Sequence, residues 1–347
     1  MITKATQVIT KETNPYQNLA LEEYLLLNVE KEECILYLWQ NRHTVVIGRN
    51  QNCWQECKVN YLEEDGGFLV RRLSGGGAVY HDLGNLNFTF LVRKENYDVD
   101  RQLQVIIRAA QKLGIHAEKT GRNDITVDGR KFSGNAFYET GDCCYHHGTL
   151  LLNVDTSQMS RFLNVSKEKL QSKGVSSVRS RVANLSEFCP EITVSLMEEK
   201  LTEAFGEVYG CPVQKMPESR LSREAIRQAA ERFGSFEWKY GRKIPIQFSF
   251  GRRFAWGDIQ FQLQVDQGVI QEAQVYSDAM DAGWIEDLKK GLQGCRYDQE
   301  ALFAAVDRAG AQGEAQDGNP EAVREGKRDG VHEEMARDVR ELLRENI

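Results

Sequence analysis

The sequence predicts an α+β fold built from mixed β-sheets and flanking helices. The first observation behind this prediction is the Asp128-Gly129 dipeptide, which lies between two β-rich runs, residues 125–127 and 131–136. An Asp-Gly pair in that position is a strong signal for a β-hairpin. The second observation is the alternation of apolar residues and glutamines over residues 259–265, which is typical of a half-buried antiparallel strand. Strands joined by hairpins and separated by helices favour mixed sheets over a parallel doubly wound fold.

Helices and strands alternate along most of the chain. Leu103, Ile106 and Ala110 follow the spacing of one helix face, and Gly114 ends that run. The same reasoning, or a β-rich composition, gives the other elements. Helices are predicted at residues 19–27, 100–113, 157–163, 167–173, 191–209, 221–233, 284–292 and 331–347, and strands at residues 34–39, 44–48, 68–70, 87–92, 125–127, 131–136, 149–153 and 259–265.

The length of 347 residues suits two domains. Basic residues cluster around Pro245, and we place the boundary there, with residues 1–246 in a large domain and residues 247–347 in a small α+β domain. Residues 308–330 lose apolar side chains, which is typical of a mobile connector. The terminal helix that follows is expected to pack on the small domain.

The composition argues against several classes of protein. A net charge of −7 disfavours a nucleic-acid binder. No apolar run is as long as the roughly 18 residues that a membrane-spanning helix needs. The N-terminus also lacks the apolar core of a signal peptide. We therefore expect a cytoplasmic protein that binds no membrane. The eight cysteines form no C-x-x-C array and the six histidines are scattered, which favours reduced thiols over a zinc site.

A glycine-rich loop between two β-rich runs is the first candidate functional segment. Glycines allow positive φ angles and a close approach of backbone N–H groups to an anion, and arginines add guanidinium donors. The alternative is a glycine-rich hairpin turn, but the adjacent Tyr80-His81-Asp82 cluster favours a phosphate or carboxylate site. The loop consists of Arg71, Arg72, Leu73, Ser74, Gly75, Gly76 and Gly77.

Lys131 is the first candidate for a catalytic group, and it begins a strand directly after the predicted hairpin turn. A lysine ammonium has three donors and can contact a carboxylate oxygen and a phosphate oxygen together. The alternative is that Lys131 is an exposed surface lysine without a catalytic role, which is the more common case for a lysine after a turn. The chain has no G-x-x-x-x-G-K-[ST] sequence, so a nucleotide would not be bound by a P-loop.

Residues 71–85 resemble the signature of the lipoate-protein ligase family, which is close to R-R-x-S-G-G-G-A-V-[FY]-H-D-x-G-N, and they match it without a break. Further segments resemble the family in the same order, from about Asn18 to Cys295. They are residues 44–52, the G-R-N-D block at 121–124, residues 129–136, residues 146–151 and residues 176–182.

The resemblance implies a two-domain ligase whose large catalytic domain is similar in fold to biotin ligase catalytic domains. It implies ATP as co-substrate, Mg²⁺, and lipoate as the acid that is converted to lipoyl-AMP. The implied acceptors are lysines on lipoyl domains of 2-oxoacid dehydrogenase E2 subunits and on glycine-cleavage H protein. In related ligases the small domain changes position between the two steps, and residues 241–253 would be the hinge here.

The resemblance also assigns roles to residues. Lys131 would contact both the lipoate carboxyl and the nucleotide phosphate, and Arg72 would bind the nucleotide or the activated acid. Asn123 and Asp124 would contact nucleotide and magnesium, with Asp124 a magnesium ligand and Asp82 its rival. Other substrate-binding or ATP-binding candidates are Ser74, Gly75, Gly76, Gly77, Ala78, Val79, Tyr80, Arg71, His81, Asn85 and His147, and an apolar slot for lipoate is sought among Val46, Leu73, Val79 and Phe88.

Three alternatives stay open. The first is an octanoyl or lipoyl transferase of the same fold that uses a cysteine thiolate and no ATP, with Cys143-Cys144 expected in a loop. Such transferases generally lack a small C-terminal domain. The second is a carrier-binding module without catalysis, which Lys131 disfavours. The third is biotin as substrate, which the triple glycine disfavours.

Overall fold

The computed structural model describes residues 1–120, 124–164, 182–241, 247–311 and 325–346, and it confirms the α+β class. The chain forms two compact units. The first contains Met1–Ile47, Cys53–Arg72 and Ala78–Lys239, and the second contains Gly48–Asn52, Leu73–Gly77 and Tyr240–Ile347. Asn123, the predicted helix 167–173, most of the segment 176–182 and residues 242–246 of the predicted hinge lie outside the described residues.

The first unit contains an eight-stranded sheet with the order β11-β1-β2-β6-β10-β9-β8-β7. Strand β1 is parallel to β2 and β11, and all other neighbours are antiparallel. The strands are β1 (Lys4–Ile9), β2 (Glu33–Trp39), β6 (Asn85–Arg93), β7 (Glu118–Thr120), β8 (Asp124–Val127), β9 (Arg130–Thr140), β10 (Cys143–Leu151) and β11 (Val213–Lys215).

A second sheet in this unit has the order β4-β3-β5, formed by β3 (Thr44–Ile47), β4 (Phe68–Arg71) and β5 (Val79–His81). Strand β3 is parallel to β4 and antiparallel to β5. Among the described residues, the helices of the first unit are α1 (Pro15–Leu27), α2 (Cys53–Glu56), α3 (Val59–Glu64), α4 (Val99–Gln111), α5 (Thr156–Phe162), α6 (Val194–Tyr209), α7 (Arg223–Gly234) and α8 (Phe236–Tyr240).

Helices cover the central strands of the large sheet. The side chain of Asn14 accepts hydrogen bonds from the N–H groups of Tyr16 and Gln17, and this cap begins α1. Helix α1 contacts β6 and β10, whereas α4 and α6 pack together and supply apolar side chains to the main core. Strand β2 is buried over its whole length, as expected for a strand covered on both faces.

In its described residues, the second unit has a three-stranded antiparallel sheet and three helices. The elements are β12 (Phe248–Arg253), β13 (Asp258–Asp266), β14 (Val269–Ser277), α9 (Ala282–Leu292), α10 (Gln299–Ala311) and α11 (Glu325–Asn346). The predicted alternation is confirmed, because Ile259, Phe261 and Leu263 are fully buried in the core of this unit. Val339 of the terminal helix lies in the same core.

Two boundaries in the second unit differ from the sequence prediction. Helix α10 continues to Ala311, whereas the connector was expected to begin at Arg308. The terminal helix begins at Glu325 and not at Val331. Weak apolar periodicity does not prevent a helix when its backbone hydrogen bonds are satisfied within the helix itself.

Phe205 tests the core of the first unit. This side chain on α6 is fully buried, with ring centroids 6.0 Å from Phe90 and 5.0 Å from Tyr209. We expect Phe205→Ala to lower the free energy of unfolding by about 3–5 kcal/mol in urea titrations, because a cavity remains. Leu27→Ala, at a position that is 56% exposed, should change it by less than about 0.5 kcal/mol. Equal effects of the two substitutions would contradict this core assignment.

Candidate active site

Lys131 and Asp124 form an ion pair at the β8–β9 hairpin. The Nζ atom of Lys131 lies 2.6 Å from Oδ1 of Asp124, and the two side chains are 23% and 20% exposed. The hairpin turn is the predicted Asp128-Gly129 pair, whose φ angles of 48° and 71° are both positive, as a type I′ turn requires. Charges that are largely removed from water interact more strongly than those of an exposed pair. The hairpin therefore holds a lysine ammonium in a defined position.

Arg72 is a buried cation directly after β4. Its backbone N–H donates to the carbonyl of Ile47 over 3.0 Å, and its Nη1 donates to the carbonyl of Val46 over 3.3 Å. Burial lowers the pKa of Arg72 to about 10, although Tyr145 and Glu22 act in the opposite direction. The guanidinium therefore stays charged at neutral pH in a region that holds little water.

A buried carboxylate on α1, that of Glu22, joins a polar cluster in the first unit. Its Oε1 accepts a hydrogen bond from the Thr89 hydroxyl over 2.7 Å and lies 2.8 Å from Nδ1 of His147. The Trp39 Nε1–H group donates to Thr89 over 3.2 Å. Sequence analysis missed Glu22, although its place three residues after Leu19 put it on the buried face of the helix. A carboxylate on an apolar helix face is the signal that would have found it.

His81 is a buried neutral histidine. Burial lowers its pKa to about 3, and Arg72 and His147 act in the same direction. Its Nδ1 lies 3.3 Å from Nδ2 of Asn41. Its Nε2 is buried and has no hydrogen-bond partner among the residues that the structure describes. The ring therefore offers one nitrogen to a ligand.

The glycine loop belongs to the second unit. Gly76 has a φ of 85°, which side chains other than hydrogen rarely allow, and its N–H donates to the carbonyl of Ala279 over 3.0 Å. A Cβ on Gly75 would lie 2.4 Å from that carbonyl oxygen. Ser74 is fully buried, and its carbonyl accepts from the N–H of Arg49 over 2.8 Å. The loop requires glycines because backbone approaches backbone closely.

Arg71 and Tyr80 bond to neighbouring structure. The Nε and Nη2 groups of Arg71 donate to the carbonyls of Trp238 and Lys239 over 2.9 and 2.8 Å. The Tyr80 hydroxyl lies 2.9 Å from Nδ1 of His43, and burial raises the pKa of Tyr80 to about 12. These contacts give both side chains a part in stabilising the first unit.

Asp82 binds backbone with both oxygens. Its Oδ1 accepts from the N–H of Gly84 over 2.8 Å, and its Oδ2 accepts from the N–H of Asp155 over 2.9 Å. Both oxygens of Asp82 are therefore engaged by backbone N–H groups. Within the described residues, no three His, Cys, Asp or Glu side chains converge on a metal position.

The remaining candidates have less defined surroundings. Ala78 and Val79 are half-buried, and Asn85 begins β6. The Nδ2 group of Asn85 donates to Oδ1 of Asn87 over 2.9 Å, while the Oδ1 of Asn85 is buried and has no partner in the part of the chain that the structure describes. Phe88, one of the residues expected in the apolar slot, instead contributes to the main core.

Cys143 and Cys144 lie in β10, so their predicted location in a loop was wrong. This strand pairs with β6 on one side and β9 on the other, which gives both cysteines places in the ladder. Cys144 is fully buried in the main core. Burial raises the pKa of Cys143, although Arg93 favours the thiolate. A thiol whose pKa is raised is a poor nucleophile at neutral pH, which disfavours the cysteine mechanism.

Comparison with known proteins matches two family descriptions to this chain. The lipoyl protein ligase A/B catalytic domain matches residues 14–206, which is more than half of the chain. The chain belongs to the lipoate-protein ligase family. The bacterial lipoate protein ligase C-terminus matches residues 244–321. The resemblance drawn from the glycine-rich signature is thereby confirmed, and the protein is a ligase.

Individual lipoate-protein ligases agree with this family assignment. Lipoate-protein ligase A of Psychrobacter cryohalolentis is 41% identical over 303 residues, which cover 85% of this chain and 89% of that protein. Plasmodium falciparum LipL1, solved in complex with lipoate, has a TM-score of 0.79 at 28% identity, covering 96% of this chain and 99% of that one. A bipartite lipoate protein ligase of Thermoplasma acidophilum, studied with its E2 lipoyl domain, has a TM-score of 0.61 at 25% identity, covering 71% and 100%.

None of the helices in the described ranges of this ligase is long and apolar enough to span a bilayer.

The pKa of His81 predicts a pH dependence of stability. Because the pKa is about 3 in the folded chain against an ordinary value of 6.5, the unfolded chain binds the extra proton below pH 6.5. The stability contributed by neutral His81 is complete above pH 6.5 and is lost as the pH falls toward 3. This one site should lower the free energy of unfolding by about 1.4 kcal/mol per pH unit in that window.

In urea titrations at pH 7, 6 and 5, we expect His81→Asn to reduce the pH dependence of the free energy of unfolding by the amount that one proton contributes, about 1.4 kcal/mol per pH unit. His116→Asn, at an exposed position, should leave the slope unchanged. An unchanged slope in His81→Asn would show that His81 is not held neutral by burial.

Proposed function

We propose that this ligase joins lipoate to a protein lysine in two steps. In the first, a lipoate carboxylate oxygen attacks the α-phosphorus of ATP, the bond to pyrophosphate breaks, and lipoyl-AMP forms. In the second, the amine of an acceptor lysine attacks the acyl carbon, loses a proton and displaces AMP. The observation that carries this proposal is the fixed Lys131 ammonium in a chain of this family.

The first step brings two anions together, so its transition state needs positive charge that is already in place. Lys131 supplies a compact ammonium with three donors, of which Asp124 occupies one direction. We assign Lys131 to the carboxylate and the α-phosphate, and later to the oxyanion that forms when the amine attacks. Arg72 is the second cation of the first unit assigned to an anion, because it is buried and keeps its charge at neutral pH.

Two of the buried atoms that lack partners among the described residues support a ligand in the first unit. They are Nε2 of His81 and Oδ1 of Asn85. A buried polar atom left unpaired costs free energy, so a ligand group that pairs with it binds favourably. We assign these two residues, together with His147 beside Glu22, to polar contacts with substrate.

ATP and Mg²⁺ are the co-substrate and ion that we propose. Mg²⁺ bound to nucleotide phosphates needs one or two carboxylates, and the donor set at the hairpin fits this requirement through Asp124. When bound there, the ion would neutralise phosphate charge. We propose residues 74–80 and Asn123 as nucleotide contacts because their sequence resembles the signature of the family.

The acceptors that we propose are lysines of lipoyl domains in 2-oxoacid dehydrogenases and of glycine-cleavage H protein. The bipartite archaeal ligase was studied with an E2 lipoyl domain, which supports the first class. The eight free thiols support a reducing compartment such as the cytoplasm. The division at residue 246 and the hinge at residues 241–253 remain proposals.

Replacing Lys131 tests the proposed chemistry. In an assay with ATP, Mg²⁺, lipoate and a purified lipoyl domain, we expect Lys131→Ala to lower lipoylation by at least about 10²-fold, because a preorganised charge is lost. Lys119→Ala is the matched control, since Lys119 forms a similar 2.7 Å pair with Asp100 at an exposed place on β7. It should keep normal activity. Full activity in Lys131→Ala would remove the catalytic assignment.

A double variant tests the cysteine alternative. We expect Cys143→Ala with Cys144→Ala to keep lipoylation that requires ATP and releases pyrophosphate, because neither thiol takes part in either step. Pyrophosphate release from ATP in the presence of lipoate, without an acceptor protein, separates the mechanisms, since a thioester transferase releases none. Loss of turnover in a variant that keeps its circular dichroism spectrum would favour the transferase.

A further inference from the structure

Within the stretch of β9 that pairs with β8, residues 130–134, one residue has no partner on β8. Lys131 pairs with Thr126, and Ser133 pairs with Ile125, so Phe132 is the extra residue of a β-bulge. Phe132 is fully buried in the main core, which anchors the bulge. The bulge is therefore a built feature of the hairpin that carries Lys131.

The bulge changes which side chains share a face of the sheet. Residues 131 and 134 are three apart, so in a regular strand their side chains would point to opposite faces. Here Gly134 pairs with Asp124 and Lys131 pairs with Thr126, and these partners on β8 are two residues apart. Lys131, Gly134 and Asp124 consequently lie on one face.

Gly134 lies directly beneath the Lys131 ammonium. A Cβ on Gly134 would be 2.7 Å from Nζ and 2.8 Å from Cε of Lys131, and its next nearest contact would be Oγ1 of Thr149 at 3.8 Å. No backbone atom is among these contacts, and the φ of Gly134 lies outside the left-handed region. A methyl group at this position would therefore collide only with the end of the lysine side chain.

The backbone of Lys131 is fixed on its other side. The carbonyl of Lys131 accepts from the N–H of Ala183 over 2.9 Å, in a parallel bridge with Val182. Because the backbone is held there, a collision at Gly134 is relieved by moving the Lys131 side chain and not the strand.

We propose that Gly134 and the Phe132 bulge are positioning elements for Lys131. The bulge places the Lys131 ammonium on the same face of the sheet as Asp124. Because Gly134 has no side chain, the ammonium can occupy the space beside it. The inference rests on the proposed function, because it assumes that the ammonium acts on the carboxylate and the phosphate. Gly134 is proposed to affect the rate through Lys131 and not to contact the substrate itself.

The test uses the full-length protein and Gly134→Ala. A misplacement of about 1 Å costs roughly 10²-fold in rate, so we expect the kcat of lipoate-dependent ATP–pyrophosphate exchange to fall by about that factor. The melting temperature should stay the same or rise, because alanine restricts the unfolded strand more than glycine does. A loss of rate together with unchanged or higher stability is a result that a merely structural role does not give.

Ser133→Ala is the matched control, since Ser133 is the adjacent fully buried residue and pairs with Ile125, which points to the other face. It should keep normal exchange. In the double variant Lys131→Ala with Gly134→Ala, we expect exchange no lower than in Lys131→Ala alone, because Gly134 acts through the lysine.

Acetylation of Lys131 reports the position of its ammonium independently of enzyme activity. Under limiting acetic anhydride, Lys131 should be acetylated faster in Gly134→Ala than in the unsubstituted protein, as measured by peptide mass spectrometry. Asp124→Asn should give the same increase without changing the glycine, so the readout does not depend on one variant. Ser133→Ala should leave the acetylation of Lys131 unchanged.

The outcomes separate this inference from the proposed function. Normal kcat and normal Lys131 acetylation in Gly134→Ala, while Lys131→Ala is inactive, would overturn the positioning role and leave the role of Lys131 intact. Losses that multiply in the double variant would also overturn it. Full activity in Lys131→Ala would remove the proposed function of that lysine, and the positioning role with it.

Discussion

The proposed chemistry depends on the ion pair between Lys131 and Asp124. A free lysine side chain loses up to about 2 kcal/mol of rotamer entropy when it is fixed, and this loss would otherwise fall on the reaction. In this ligase the loss is met during folding, because the type I′ turn, the bulge at Phe132 and the carboxylate define the place of the ammonium. A charge that is already oriented stabilises a transition state without reorganising at the moment of reaction.

Buried charge elsewhere in the first unit has a measurable cost. Lowering the pKa of Arg72 from 12.5 to about 10 corresponds to roughly 3 kcal/mol against the charged form. The charge is kept, since a pKa of about 10 is well above neutral pH. A buried cation that keeps its charge attracts an anion that reaches it. By contrast, His81 gives up its charge, because a neutral ring with one unpaired nitrogen costs less in the same surroundings.

Much of this site was predictable from sequence because its signals are local. The Asp128-Gly129 turn determines the hairpin through backbone angles that few other residues allow, and the triple glycine announces a loop where backbone meets backbone. Glu22 was missed because helix periodicity was read for apolar residues only. The bulge was out of reach, since the register of two strands is determined by what they pack against and not by their own residues. The strand that contains Cys143 and Cys144 is likewise defined by pairing, with β6, which is distant in sequence, and with β9, which directly precedes it.

Gly75 and Gly134 are required for different physical reasons, and the difference determines the effect of a substitution. At Gly75 the space that a Cβ would need is taken by the carbonyl oxygen of Ala279, and backbone cannot move without moving the strands attached to it. At Gly134 the space is taken by the end of a flexible lysine, so a methyl group would displace the ammonium and not the backbone. A substitution at Gly134 is therefore expected to act on the rate, whereas one at Gly75 is expected to act on stability. A glycine whose missing Cβ would meet the end of a charged side chain leaves room for that side chain and so positions it. Such a glycine is recognised from the atoms that a Cβ would contact, more than from its backbone angles.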